Sequence, residues 1–167
     1  MQRGIVTLLA SPEGRITRAM FWLGLLILIA MKLAARFALG LPLLTTPADA
    51  FSMRLWSFII DALVIYPGAV LLVKRLHDRN LPGQLAGWFI APHFLLMIAN
   101  LLGMSGDLAH MGLAETIMVL VTGIVTIGFM VELGFRRGSA GPNRYGPEPL
   151  SRKLKQCRSS GSSAALP

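Results

Sequence analysis

Charge is scarce in this sequence, and negative charge most of all. Asp, Glu, Lys and Arg make up 14% of the 167 residues, and only eight residues are acidic. A soluble domain averages about 25% charged residues, so an ordinary water-soluble enzyme is excluded. Cysteine is nearly missing as well, and Cys157 by itself allows no intrachain disulfide. The sequence has no G-x-S-x-G elbow and no Gly-rich phosphate loop. His77, His93 and His110 lie too far apart to share zinc-ligand spacing. No metal, cofactor or catalytic residue is therefore expected, and the chain is read as a non-enzyme.

Apolar residues, by contrast, are abundant. The hydrophobic set makes up 54% of the chain and mean hydropathy is +0.62. Crossing a bilayer core of about 30 Å takes about 20 apolar residues in a helix. Four stretches approach that length, at residues 20–39, 55–73, 85–102 and 113–133. Their apolar residues occupy every helical face, as in helices that meet lipid or fill a bundle core. The expected fold is all-α: a polytopic bundle of four transmembrane helices. Residues 1–12 should form an irregular or interfacial lead-in, with Ser11-Pro12-Glu13 starting a short helix. Residues 13–150 form the membrane domain, and the basic, Ser-rich residues 151–167 a disordered tail. Ala48-Asp49-Ala50 resembles a signal-peptide cleavage site but lies too far beyond the first apolar run to be one.

Sixteen Lys and Arg give a net charge of +8 and a pI near 10.8. Their placement explains this without nucleic acid. Thirteen fall before the first span, between the second and third, or after the fourth; Arg54 stands alone on the opposite side, and Lys32 and Arg36 lie within the first span. The positive-inside rule then puts both termini and the second loop in the cytoplasm. Trp22, Trp56 and Trp88 sit near span starts, at headgroup level.

Three polar motifs frame these spans: Gly14-Arg15-Ile16-Thr17-Arg18-Ala19-Met20-Phe21-Trp22, Arg75-Leu76-His77-Asp78, and Gly138-Ser139-Ala140-Gly141-Pro142-Asn143-Arg144-Tyr145-Gly146-Pro147-Glu148-Pro149. In this order they resemble the domain of unknown function 805 family, small bacterial inner-membrane proteins of the YhaH type, over residues 13 to 150. The family's Gly-Trp pair usually follows the RLHD turn closely. Here Gln84-Leu85-Ala86 intervenes between Gly83 and Gly87-Trp88, which leaves the start of the third span open. The resemblance implies a multi-pass protein of the bacterial inner (plasma) membrane and no biochemical activity.

The topology gathers Arg15, Arg18, Arg75, His77, Asp78, Asn143, Arg144 and Tyr145 on the cytoplasmic side. Two readings of this shell stay open. The residues could anchor the helices and brace a turn, or they could bind a partner or anionic lipid. In the second reading Asp78 orients one Arg and leaves the others free for an anion, and His77 makes the binding pH-sensitive. Within the membrane, Lys32 and Asp61 lie about 10 Å and about 9 Å from the outer edge, so Lys32 or Arg36 could pair with Asp61. Glu132 is a further ionisable group, near the end of the fourth span. The favoured function is a non-enzymatic accessory or scaffold protein whose partners are membrane lipids or a protein at the cytoplasmic face. The alternative is a small transporter or channel, which in so short a chain would require a homo-oligomer.

Overall fold

A computed structural model describes residues 8–41, 51–104 and 112–149. The expected tail, Cys157, His110, Ala48-Asp49-Ala50 and the first seven residues of the lead-in lie outside the described residues. Four long helices carry the fold: α1 (Arg18–Ala38), α2 (Phe51–Asp78), α3 (Ala86–Leu101) and α4 (Leu113–Phe129). A 3-10 turn at Gly83–Leu85 leads into α3, and a π-helical segment, Met130–Phe135, prolongs α4. The Gln84-Leu85-Ala86 interval is thus the turn that launches α3. Counting the turn and the π segment, all four helices are long and apolar enough to cross a membrane. Helices α2 and α3 continue through Pro67 and Pro92.

Local signals fix the helix ends. The Thr17 hydroxyl accepts from the Met20 amide at 3.3 Å and caps α1. This corrects the expected helix start at Ser11. Residues 11–17 are irregular, and the Ser11 hydroxyl reaches only the Glu13 amide, at 3.4 Å. Helices α1, α2 and α3 each end in a left-handed residue: Gly40, Asn80 and Gly103. Behind each, paired amides return to the last helical carbonyls, as Asn80 N to His77 O and Leu81 N to Leu76 O do.

Consecutive helices pack side by side, and the π segment of α4 touches both α1 and α2. Helix α1 approaches α2 closely at Gly24, where a Cβ would lie 2.8 Å from Leu71. The core sits at one end of the bundle, built from Leu8, Ile16, Phe21, Leu28, Leu71, Leu72, Leu76, Ala86 and Leu133. The rest of the helical surface is strongly apolar. Leu26, Phe37, Leu63, Ile124 and Leu113 are all at least 65% exposed. Soluble proteins rarely leave so much apolar surface to water, and helices of this length and composition suit a lipid surround.

Candidate functional site

Among the described residues, the least exposed charged side chain is Arg75, on the last turn of α2, with no exposed surface. Its surroundings explain why it can be there. A helix leaves its last four carbonyls without intrahelical partners, and near hydrocarbon such groups are costly. At the end of α4 those carbonyls accept from side chains of the other helices. Glu132 O receives Arg79 Nη1 at 3.0 Å, Leu133 O receives Arg75 Nε at 2.6 Å, and Gly134 O receives the Trp22 indole at 3.2 Å. Phe135 O receives Arg18 Nη1 at 3.0 Å, and Arg136 O receives Arg75 Nη2 at 2.6 Å. Five consecutive carbonyls are thus capped by α1 and α2. Three of the four capping residues are cations placed at the negative end of the helix dipole.

Asp78 is the hub beside this cap. Its carboxylate pairs with Arg75 through Oδ2 and with Arg15 through Oδ1, the latter at 3.0 Å from Nη2. Arg15 also donates to Gly141 O (2.7 Å), Gly146 O (3.3 Å), Ser139 O (2.7 Å) and Asp78 O (3.5 Å). With Nε on Asp78 at 3.1 Å, all five guanidinium donors have acceptors. The expectation that Asp78 orients one Arg and leaves the others free is corrected for Arg15 and Arg75. It holds both, and both are committed to backbone carbonyls. Opposite its carboxylate the chain comes so close that a Cβ at Gly138 would overlap it. A glycine is needed there for space.

The segment after α4 folds back beneath α2 and caps it in turn. The Ser139 amide and hydroxyl donate to Asp78 O at 2.8 and 3.0 Å. Asn143 Nδ2 donates to His77 O and to Ser139 Oγ, both at 2.9 Å. Asn143 Oδ1 takes the Tyr145 amide at 2.9 Å, and the backbones of Asn143 and Gly146 exchange two bonds. Asparagine suits such a turn because its side chain can bond the backbone two residues on. The Tyr145 ring stacks on His77 at 3.7 Å between centroids, and the Arg144 guanidinium lies over the Tyr145 ring, 4.7 Å from its centroid, while donating to Asn80 O. Of the eight residues expected in the shell, Arg15, Arg75, His77, Asp78, Asn143 and Tyr145 form this interlocked frame. Arg18 and Arg144 stand exposed at its rim.

Beside the frame, Arg18, Arg137, Ser139 and Glu148 line part of a cavity of about 360 Å³ whose floor is Arg15, Arg75 and Asp78. Glu132 is not isolated in the membrane domain. It pairs with Arg79 and with Arg136, the latter at 2.8 Å. Composition could not reveal this pairing, although the i,i+4 spacing of Glu132 and Arg136 was a signal for half of it.

At the opposite end of the bundle, Lys32 Nζ meets Asp61 Oδ1 at 2.7 Å. Of the two basic residues considered for Asp61, Lys32 makes this ion pair. Arg36 is buried, near the C-terminus of α1. His93 is braced, with Nδ1 2.7 Å from Phe89 O and Nε2 3.2 Å from the Thr126 hydroxyl of α4.

An all-helical chain with four membrane-length helices, tied at one end by a buried Arg–Asp–Arg cluster, is a multi-pass membrane protein. Comparison identifies its relatives. The chain belongs to the family described as protein of unknown function (DUF805), whose profile matches residues 9–147. That span covers the first two motifs and the third as far as Pro147. Curated relatives include Uncharacterized protein YiiR of Escherichia coli strain K12 and its O157:H7 counterpart. Each is 29% identical over 149 residues, covering 88% of this chain and 91% of the relative. No solved structure matches the chain.

Proposed function

We propose that the protein is a non-enzymatic accessory or scaffold of the bacterial inner membrane, with both termini and the α2–α3 turn in the cytoplasm. Its cytoplasmic face recognises an anionic group, carried by a lipid headgroup or a protein partner. The observation that supports this is the rigid frame around Asp78. It uses Arg15 and Arg75 internally and leaves Arg18 and Arg137 lining a preformed cavity, with Arg144 exposed elsewhere on the frame. Fixed guanidinium groups bind carboxylate or phosphate with less ordering cost than mobile ones.

Co-purification from native membranes, with mass spectrometry of bound lipids and proteins, tests the reading. The double variant Arg18→Gln/Arg137→Gln should lose the bound anionic lipid or partner while remaining folded. Retention of the same lipids and proteins by that variant would refute it. Labelling of residues 42–54 from the cytoplasmic side would refute the orientation.

A second reading, a small transporter or channel-like oligomer, is favoured by the Lys32–Asp61 pair inside the bundle. Solute flux into liposomes that disappears in Asp61→Asn would support it.

A further inference from the structure

The Lys32–Asp61 pair lies in a second cavity, also about 360 Å³, enclosed mainly by α1, α2 and α3. Its lining changes character along its length. Near the start of α2 it carries Lys32, Arg54, Ser57 and Asp61. Toward the core it is apolar, with Leu28, Val64, Leu72, Phe89 and Met130. Volumes of several hundred Å³ with few polar groups are typical of small-ligand sites.

Three polar atoms at the head of this cavity lack a hydrogen-bond partner: the donors Arg54 Nε and Ser57 Oγ, and Asp61 Oδ1, which Lys32 holds as an ion pair. Ser57 is 4% exposed, and its hydroxyl has no hydrogen-bond partner, not even the helix carbonyl one turn back. Arg54 Nε is enclosed and also without a partner. The Arg54 guanidinium extends across Gly103, where a Cβ would collide with it. The left-handed residue ending α3 thus doubles as the seat of this side chain. Buried orphan donors are rare in native proteins, and each calls for an explanation. His93 does not join them, since both its nitrogens are engaged with Phe89 and Thr126. Two cations against one carboxylate leave the polar head positive.

We propose that this cavity binds a single-chain acyl anion of the free fatty acid class. Its carboxylate accepts from Ser57 Oγ, Arg54 and Lys32, and its alkyl chain runs past Val64 and Gly68 toward Leu72 and Phe89. Donors without acceptors at one end and a mainly apolar lining at the other, broken by His93, match head and tail in that order. A cavity of this size holds one chain, which favours a fatty acid over a diacyl phospholipid. Gly68 borders the tail region with open space, its nearest neighbour being Leu28 at 4.0 Å.

The test uses the full-length protein in maltoside micelles and a palmitate analogue bearing a diazirine and an alkyne. Labelling should map to residues 64–72 of α2 and 89–97 of α3, and palmitate should compete for it. Hexadecanol should compete about tenfold less well, since it lacks the charge that strengthens the head contacts. Arg54→Gln should weaken labelling about tenfold and Ser57→Ala about threefold, in line with a charged and a neutral hydrogen bond. Gly68→Leu should abolish labelling by filling the tail region, with the head residues intact. Arg18→Gln/Arg137→Gln, at the far end of the bundle, should leave labelling unchanged, so failure of the cytoplasmic reading and of this one are separable. Labelling spread over the lipid-facing surfaces and insensitive to palmitate would overturn the proposal. So would equal competition by hexadecanol, displacement by phosphatidylglycerol but not by palmitate, or unchanged labelling in folded Ser57→Ala and Gly68→Leu.

Discussion

Replacing Arg75 by Gln should cost more stability than any other single polar substitution in the molecule. Arg75 has no exposed surface and joins three segments. It bonds Leu133 O and Arg136 O at the end of α4, Ile16 O before α1, and the Asp78 carboxylate. Removing one partner of a buried ion pair costs about 3–5 kcal/mol. Arg15 still neutralises Asp78 at 3.0 Å, which places that contribution at the low end. Gln restores at most part of the carbonyl bonding, and each buried group left unsatisfied adds about 1–3 kcal/mol. A total loss of about 4 kcal/mol follows, a large share of the roughly 5–15 kcal/mol that folded proteins have.

Unfolding by SDS in maltoside micelles measures this. Trp22 is a suitable reporter because its indole donates to Gly134 O and its ring packs edge-on against Phe135 at 5.6 Å. Trp56 and Trp88 would be replaced by Phe to isolate its signal. Arg75→Lys should recover only part of the loss, since an ammonium cannot reach acceptors on three segments as a planar fork does. Asp78→Asn should be costly alone, and less than additive with Arg75→Gln, because the two share one interaction. If Arg75→Gln unfolds within about 0.5 kcal/mol of the parent, the frame is not what holds α4 to α1 and α2.

Three further outcomes follow from the same geometry. In a double-mutant cycle of Lys32→Met and Asp61→Asn, the coupling should be on the order of 1 kcal/mol, kept low because the Lys32 side chain is 40% exposed; strict additivity would mean that Lys32 acts alone. Gly138→Ala should destabilise by about 1–3 kcal/mol, as the new Cβ displaces the Asp78 carboxylate, and an unchanged unfolding midpoint would refute that close approach. Asn143→Ala removes bonds to His77 O, Ser139 Oγ and the Tyr145 amide, so about 2 kcal/mol should be lost. Limited trypsin digestion should then cut faster at Arg144, and an unchanged rate would show that the turn stands without its asparagine.

Hydropathy located the four helices because each apolar run was long enough and lacked a polar face. It placed their ends less well. The second span was expected at 55–73, whereas α2 runs from Phe51 to Asp78. Lys74, Arg75 and Asp78 read as polar loop residues, yet all three are buried. Long-range bonds explain the difference. Lys74 Nζ reaches Leu8 O at 3.3 Å, while Arg75 and Asp78 are held by α4 and Arg15. The motif residues identified the place but not the work they do there. Their main acceptors are backbone carbonyls 132–136 and 139–146, which carry no side-chain signature in a sequence. Arginines with invisible acceptors look available to outside anions. Ser57 and Arg54 were missed for the opposite reason, since polar residues near the end of a span are unremarkable until Ser57 Oγ and Arg54 Nε turn out to be enclosed and without a hydrogen-bond partner.

The two ends of the bundle satisfy their backbones differently, and this bears on how the helices move. At the end opposite the basic one, α1 and α3 finish in local caps closed by Gly40 and Gly103, whose backbone bonds stay within each helix. At the basic end, α4 is capped by side chains of α1 and α2, and α2 is capped again by Ser139 and Asn143. Opening that end requires several such bonds to break together, whereas at the other end α1 and α2 are linked by the partly exposed Lys32–Asp61 pair. Local opening energies follow such differences in bonding. Amide hydrogen exchange in micelles should therefore be slowest at residues 71–78 and 130–136, and faster at 33–38 and 96–101, which lie a similar distance from a helix end. Arg75→Gln should erase the contrast by releasing the basic end. Equal protection at both ends of the unmodified protein would mean that the interlocked caps add no rigidity beyond that of the helices themselves.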